Sequence, residues 1–296
     1  MKKMRSLRSV LIAVGLATVL ASGCHKDAVR SLLDHPRLAP GVAMQDVTFY
    51  SAALKRNMTY RVFLPAKIVE GERLPVVYLL HGGGGDYRNW SNYSDVAQYA
   101  AHGPILVMAD GGSSYFVNAA LKPEDKYEDY LVNDLIPDVE RRFPAAKKRE
   151  GRAIVGVSMG GYAAVYFALT RPDLFVFAGG ISPAIDVPSR RFTVRRLSQS
   201  QRFRTIFGPD GSDSRKRADP FLLVQSADPR VTPYIYLTAG DNEPLREPIQ
   251  RFAQRLGSRH FAYEFHTRPG EHDWNEWDTQ IPGCFESLLA HLPGKR

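Results

Sequence analysis

Cysteine is scarce in this sequence, since Cys24 and Cys284 are the only two among 296 residues. Two cysteines cannot form the several disulfides of a small secreted scaffold, and they cannot supply a zinc site made of cysteine ligands. Cys284 is therefore expected to behave as a small, buried, apolar residue.

A strong excess of one charge is also lacking. The net charge of +8 includes four basic residues within positions 1–23, which hold no acidic residue. The remaining chain has 35 basic and 31 acidic side chains, and its charge of +4 is too small to indicate a nucleic-acid partner. Nine basic residues are concentrated within residues 190–217. We interpret this segment as a solvated face rather than as a contact for an anionic substrate.

The apolar run near the N-terminus is too short for a comfortable membrane span. Val10–Leu20 falls below the roughly 20 residues that a spanning helix needs. Basic residues precede this run and small residues follow it, which is the order of a secretory signal peptide. Residues 1–23 are therefore predicted to be a signal peptide. The segment ending at Cys24 resembles a bacterial lipobox, although Ala21 stands where a bulkier aliphatic residue is usual.

These N-terminal features predict where the protein acts. We expect export to the periplasm or cell envelope, with a lipid on Cys24 as the only membrane contact. Residues 24–45 have little apolar pattern and are predicted to be a tether. The domain itself is predicted to cover residues 46–292.

Strand and helix signals alternate through this domain. The first strand is predicted at Val47–Ser51, and continuous apolar runs such as Pro75–Leu80 are typical of strands covered on both faces. About eight strands interleaved with helices predict an α/β fold, with a mostly parallel sheet and helices on both faces. Residues 184–230 lose the alternation and are predicted to be a small insertion.

The segment Gly156-Val157-Ser158-Met159-Gly160 matches the pattern G-x-S-x-G. An apolar strand pattern precedes it and a helical pattern rich in small residues follows it, as in a nucleophile elbow. In such a tight turn the positions two residues before and after the serine have no room for side chains. Ser158 is therefore predicted to be a nucleophile.

A cluster of glycines ends an earlier predicted strand and includes Gly83. Acyl transfer to a serine creates an oxyanion, which needs two backbone N–H donors. One donor is the residue after the nucleophile, Met159, and the other comes from a loop after an earlier strand, for which we predict Gly83. A nucleotide-binding loop would need Lys-Ser or Lys-Thr after the glycines, whereas Asp86-Tyr87 follow here. His81 is predicted to brace this loop.

The general base is predicted to be His272. In the order Ser, acid, His, the base follows the serine along the chain, which leaves four histidines: His260, His266, His272 and His291. His272 lies in a loop just beyond a predicted strand, where an imidazole can reach over the serine. Histidine exchanges a proton near neutral pH, as this role requires.

The acid of the triad is predicted in the loop after the strand Tyr234–Ala239. This loop has the sequence Gly240-Asp241-Asn242-Glu243. Either carboxylate can orient an imidazole and stabilise an imidazolium, so the residues alone leave both Asp241 and Glu243 open.

Several spaced segments together resemble the esterase D-like "putative esterase" family. They are YLLHGG, MADGG, YEDYLVNDLIPDVERRFP, GVSMGG and GEHDWNEW. This family includes S-formylglutathione hydrolases, feruloyl and tributyrin esterases, and mycolyltransferases of the antigen 85 type. The resemblance covers about residues 46–292 and implies the α/β-hydrolase fold, with ester hydrolysis that needs no metal and no cofactor.

The resemblance also implies roles for single residues. Ser158 matches the family's nucleophile and His272 its base, while Gly83 and Met159 match the oxyanion donors. The family acid is the third residue after the glycine that closes the strand, which here is Glu243. Many relatives have Asp at that position, so Asp241 remains the alternative.

The expected activity is that of a serine carboxylesterase acting through an acyl-enzyme on Ser158. Its expected partner is an ester of a small or carbohydrate-linked alcohol. An acyltransferase with the same triad is one alternative, and a thioester hydrolase of the S-formylglutathione type is another. A binding module without activity is a third. The predicted export argues against the thioester hydrolase, and the full set of triad residues argues against the binding module.

Overall fold

The computed structural model describes residues 34–101, 103–191 and 193–293. The predicted signal peptide, residues 1–23, and the predicted lipid site at Cys24 lie outside the described residues. Eight strands form one sheet in the order β1-β2-β4-β3-β5-β6-β7-β8. The strands are β1 (Val42–Ser51), β2 (Arg56–Pro65), β3 (Val76–Leu80), β4 (Ile105–Ala109), β5 (Arg152–Val157), β6 (Phe177–Ile181), β7 (Tyr234–Gly240) and β8 (Tyr263–Arg268).

The sheet is parallel except at one edge. Strands β3 to β8 run in the same direction, whereas β1 and β2 form an antiparallel pair and β2 is antiparallel to β4. This arrangement confirms the predicted α/β fold with a mostly parallel sheet. The carboxyl ends of the parallel strands therefore meet at one edge, where α/β proteins bind their ligands.

The first strand begins earlier than predicted, at Val42 rather than Val47. Val42 pairs with Pro65 and Asp46 pairs with Arg61, so the backbone ladder extends over residues assigned to the tether. Side chains in this first half of β1 are exposed or half-buried. Asp46 also pairs with Arg61 through its side chain (2.7 Å), but the first five residues do not alternate between apolar and polar, so the segment lacks the pattern that would reveal a strand.

Helices connect the strands and cover both faces of the sheet. They are α1 (Asn89–Tyr93), α2 (Tyr127–Asp129), α3 (Ile136–Arg142), α4 (Met159–Thr170), α5 (Leu197–Phe207), α6 (Asp213–Arg217), α7 (Pro220–Ser226), α8 (Arg246–Ser258) and α9 (Trp274–His291). A π-helical segment, Tyr130–Leu135, joins α2 to α3. No helix among the described residues is long and apolar enough to cross a bilayer.

The hydrophobic core has two layers, one on each face of the sheet. Alternate residues of β3 divide between them, because successive side chains of a strand point to opposite faces. Tyr78 and Leu80 pack in the layer with α4 and α8. Val77 and Leu79 pack in the layer with α9. Cys284 is fully buried in this second layer, as the sequence predicted, and burial raises the pKa of its thiol.

The insertion after β6 contains α5, α6 and α7, with 3-10 turns at Val187–Ser189 and Val194–Arg196. Its apolar side packs against the body of the domain. The rings of Phe203 and Phe207 contact Tyr115, and Phe207 also contacts Tyr162. The segment predicted as an insertion is therefore largely helical.

One of its basic residues points inward, contrary to the predicted solvated face. Arg215 is buried and donates to the carbonyl oxygens of Pro188 (2.7 Å), Arg190 (2.7 Å) and Gly208 (3.2 Å). Its guanidinium also pairs with Asp210. The sequence did not reveal this role, because the three acceptors are backbone carbonyl groups, which every residue type has. Exposed positions among the nine are Arg191, Arg195, Arg202, Arg204, Lys216 and Arg217.

The turn from β5 into α4 allows no side chain at Gly160. A Cβ atom there would lie 2.2 Å from the carbonyl oxygen of Leu80, which belongs to β3. The helix thus rests directly on the backbone of the neighbouring strand.

We predict that Gly160→Ala lowers the free energy of unfolding by about 3 kcal/mol, because overpacking a dense interior forces the backbone apart. Gly83→Ala is the matched control, since a Cβ atom there meets nothing within 4 Å; its effect should stay within about 0.5 kcal/mol. Urea unfolding followed by circular dichroism measures both. Equal stability of the two variants would contradict the prediction.

Candidate active site

Ser158 lies in the turn between β5 and α4, at the carboxyl edge of the sheet. Its φ of 53° and ψ of −109° are unusual for a residue with a side chain. Backbone hydrogen bonds hold this conformation: its N–H donates to Ile181 (2.9 Å), and its carbonyl oxygen accepts from Tyr162 and Ala184 (both 2.9 Å). The turn therefore presents the half-buried hydroxyl of Ser158 at the edge of the sheet.

His272 reaches this hydroxyl from the loop between β8 and α9. Its Nε2 atom lies 2.8 Å from the Oγ atom of Ser158. The edge of the ring meets Trp277, with ring centroids 5.0 Å apart. Trp277 is buried and packs against Trp274, which stacks on Tyr93. These aromatic contacts limit the positions that the imidazole can take.

Glu243 occupies the other side of the imidazole. Its Oε2 atom lies 2.6 Å from Nδ1 of His272, and its Oε1 atom accepts a hydrogen bond from the N–H of Gly240 (2.9 Å). The carboxylate is fully buried. A carboxylate only accepts hydrogen bonds, so Nδ1 of His272 carries the proton and Nε2 accepts from the hydroxyl of Ser158.

Asp241, the alternative acid, points away from the imidazole. Its side chain is 38% exposed and lies 3.6 Å from the guanidinium of Arg246. The loop turns back after Gly240, so that the third residue rather than the first faces His272. The structure thus brings Ser158, His272 and Glu243 together and leaves Asp241 outside this group.

One predicted oxyanion donor, Met159, directly follows Ser158, and the loop that contains the other, Gly83, passes close to this serine. Met159 is the first residue of α4, where an amide has no partner within the helix. Gly82, the neighbour of Gly83, approaches Ser158 so closely that a Cβ atom on it would lie 3.5 Å from Cβ of the serine. Within the described part of the chain, neither the N–H of Met159 nor that of Gly83 donates to a protein acceptor. Both amides therefore remain without a protein acceptor among the described residues.

His81 fixes the loop that contains Gly83. Its Nδ1 atom donates to the carbonyl oxygen of Gly82 (2.7 Å), because its Nε2 atom accepts from the N–H of Gly111 (2.9 Å). The ring is fully buried, and burial lowers its pKa. A neutral His81 thus joins the loops after β3 and β4, as the predicted bracing role requires.

Glu276 is a buried carboxyl that the sequence analysis missed. It is 5% exposed and lies in the first turn of α9. Burial, together with the negative charges of Glu243, Asp273 and Asp241, raises its pKa to about 8. Its position three residues after Asp273 is typical of a helix cap, so the pattern gave no sign of a buried acid.

A comparison of this sequence with known proteins identifies a family to which it is similar. The model of the family described as "Putative esterase" matches residues 51–288. The chain is similar to an acetyl esterase of Caldicellulosiruptor saccharolyticus, with 26% identity over 83% of this chain and 97% of the relative. It is 31% identical to an endo-1,4-beta-xylanase/feruloyl esterase of Xylanibacter ruminicola, over 84% of this chain but 31% of that longer protein.

A solved structure extends the comparison. A fluorophosphonate-binding serine hydrolase of Staphylococcus aureus is similar over 84% of this chain and 98% of its own length, with a TM-score of 0.73 and 25% identity. This likeness supports the α/β-hydrolase fold.

We predict that Glu243→Gln slows the labelling of Ser158 by a fluorophosphonate by about a hundredfold or more, since a neutral amide cannot stabilise an imidazolium. Asp241→Asn is the matched control and should label within about twofold of the wild-type rate, as expected of an exposed side chain away from the imidazole. Mass spectrometry of the labelled peptide over time measures the rates. A larger loss in Asp241→Asn than in Glu243→Gln would reverse the assignment.

Proposed function

Because the chain belongs to the "Putative esterase" family, we propose that it hydrolyses carboxylic esters of small or carbohydrate-linked alcohols through an acyl-enzyme on Ser158. The observation that supports this most directly is the continuous pair of hydrogen bonds from Ser158 to His272 (2.8 Å) and from His272 to Glu243 (2.6 Å). Nucleophile, base and orienting acid are the three parts that acyl transfer to a serine requires.

In the first half of the proposed reaction, Oγ of Ser158 attacks the carbonyl carbon of the ester. His272 accepts the hydroxyl proton at Nε2, and the imidazolium that forms is stabilised by the carboxylate of Glu243. The carbonyl oxygen becomes an oxyanion, which accepts hydrogen bonds from the N–H groups of Gly83 and Met159. Each such donor contributes roughly 3 kcal/mol of transition-state stabilisation.

The tetrahedral intermediate then breaks down. The bond to the leaving alcohol breaks as His272 gives its proton to the alcohol oxygen, which leaves the acyl group on Ser158. A water molecule attacks this acyl-enzyme and gives a proton to His272. The carboxylic acid departs, and Ser158 regains its proton from His272.

Two features of the scaffold favour these steps, one through charge and one through positioning. Helix α4 begins at Met159, so its N-terminus lies beside the developing oxyanion and favours a negative charge. The fixed backbone of Ser158 holds the attacking oxygen in place before the substrate arrives, which lowers the entropic cost of reaching the transition state.

The relatives support the substrate class. One is named an acetyl esterase and another contains a feruloyl esterase activity in its name. We therefore propose acetyl or feruloyl esters on sugars as substrates. The basic and apolar residues before Cys24 support action outside the cytoplasm, with the protein held at the cell envelope by a lipid on Cys24.

We predict that the purified enzyme hydrolyses p-nitrophenyl acetate and at least one of methyl ferulate and an acetylated xylo-oligosaccharide. Ser158→Ala should lower kcat/KM by about a thousandfold or more, because it removes the atom that forms the acyl-enzyme. Release of nitrophenol or of the free acid measures the rate, and circular dichroism checks that the variant is folded.

Two results would contradict this proposal. Equal hydrolysis by the wild type and Ser158→Ala would exclude an acyl-enzyme on this serine. A transfer product that exceeds the free acid when a sugar or glycerol is added would instead establish an acyltransferase that uses the same three residues.

A further inference from the structure

The carboxyl group of Glu276 is buried without a hydrogen-bond partner. The residue is 5% exposed, and neither Oε1 nor Oε2 has a partner among the described residues. The N–H groups of Asn275 (2.9 Å) and Glu276 (3.1 Å), at the start of α9, donate to Asp273. They therefore provide no hydrogen bond to the carboxyl group of Glu276. A buried acid with no donor is costly to ionise.

This carboxyl lies against the loop that carries His272. A Cβ atom on Gly270 would lie 1.9 Å from Cγ of Glu276, so the side chain passes directly over the glycine backbone. The carbonyl oxygen of Gly270 also accepts from the N–H of Asn242 (3.0 Å), the neighbour of Glu243. The loops that hold the base and the acid of the triad therefore meet beside Glu276.

The charged groups that act on Glu276 are all acidic. The negative charges of Glu243 and Asp241, on the loop after β7, and of Asp273, at the start of α9, all act on it. In the described part of the chain no Lys, Arg or His side chain forms an ion pair with it, and Glu271 of the neighbouring loop is exposed. Burial and these negative charges have the same effect, since both disfavour the ionised form.

The hydrogen bonds decide which of the two buried carboxyls keeps the proton. Glu243 accepts hydrogen bonds from Nδ1 of His272 (2.6 Å) and from the N–H of Gly240 (2.9 Å). Glu276 has no comparable donor. Two buried carboxylates whose charges act on each other cannot both be ionised at low cost, so the proton belongs to Glu276, which has no donor among the described residues.

We propose that Glu276 is a positioning residue that stays protonated while the enzyme works, so that of these acids Glu243 alone carries a buried negative charge next to His272. This role rests on the proposed function of the triad. When Glu276 loses its proton, a second negative charge arises beside Glu243. Repulsion between the two then loosens the bond from Glu243 to His272, and His272 loses its alignment on Ser158.

The kinetic test compares pH profiles of kcat and KM from pH 5 to pH 10. The substrate is p-nitrophenyl acetate, with spontaneous hydrolysis subtracted. Wild-type kcat should fall about fivefold or more on the alkaline side, with a midpoint near pH 8, as a bell-shaped profile reports an essential protonated group. KM should change little, because the substrate does not touch Glu276.

Glu276→Gln keeps the shape and the neutral charge of the protonated acid. It should therefore match wild-type kcat at pH 7 within about threefold and keep its activity at pH 9.5. Glu286→Gln is the matched control, since Glu286 is an exposed acid on the same helix. This control should retain the alkaline fall of the wild type.

A stability measurement tests whether Glu276 is protonated in the folded protein, independently of catalysis. An acid whose pKa is raised by folding stabilises the protein fully below its ordinary pKa, and this contribution is lost as the pH rises toward 8. The wild-type Tm should therefore fall relative to that of Glu276→Gln between pH 5 and pH 9. If no ester is hydrolysed, the proposed function fails while this measurement still tests the proton on Glu276.

Three results would overturn the proposal. The first is a wild-type kcat that does not fall above pH 8, a result that can be measured without any variant. The second is a loss of more than about tenfold in Glu276→Gln at pH 7, which would show that a negative charge is required there. The third is a Tm difference between wild type and Glu276→Gln that stays constant from pH 5 to pH 9.

Discussion

The hydrogen bond between Nδ1 of His272 and the carboxylate of Glu243, 2.6 Å long, is the interaction on which the site depends. It joins the loop after β8 to the loop after β7, and it fixes which nitrogen of the imidazole faces Ser158. The neighbouring strands bring these loops to one edge because β5, β6, β7 and β8 are parallel and adjacent. Without this bond the imidazole could rotate, and the hydroxyl of Ser158 would have no oriented acceptor.

Much of the fold and of the site could be predicted from local features of the sequence. The turn at Ser158 was recognisable because tight packing excludes side chains at Gly156 and Gly160, where a Cβ atom would meet backbone atoms at 2.1 Å and 2.2 Å. The strands β3 and β5 were recognisable because both faces are covered, which makes every residue of a strand apolar. Family resemblance then selected Glu243, a choice that spacing alone left open.

Features that depend on backbone atoms or on distant burial could not be predicted. The first half of β1 pairs with β2 while its side chains stay exposed or half-buried, and its residues do not alternate between apolar and polar, so the sequence does not mark a strand there. Arg215 lies inside a basic segment, and three partners of its side chain are backbone carbonyl groups. Every residue type has such a group, so the sequence does not indicate these bonds. Glu276 has the spacing of a helix cap, and only the fold shows that its carboxyl is buried beside Glu243 rather than exposed.

The bonds of Arg215 have a consequence for how this enzyme can change. Its side chain has four partners that all belong to the insertion: Pro188, Arg190, Gly208 and Asp210. These bonds stabilise the insertion from within. Its contacts with the body of the domain include aromatic rings around Tyr115 and Tyr162. The body also donates hydrogen bonds to backbone carbonyl oxygens of the insertion, from the hydroxyl of Tyr162 to Ala218 (2.6 Å) and from the N–H groups of Ala120 and Leu121 to Ile206 (2.9 Å) and Thr205 (3.0 Å). Because the acceptors in the insertion are backbone carbonyl groups, which every residue type has, its side chains can be diversified in a library while the chemistry on the sheet is inherited unaltered.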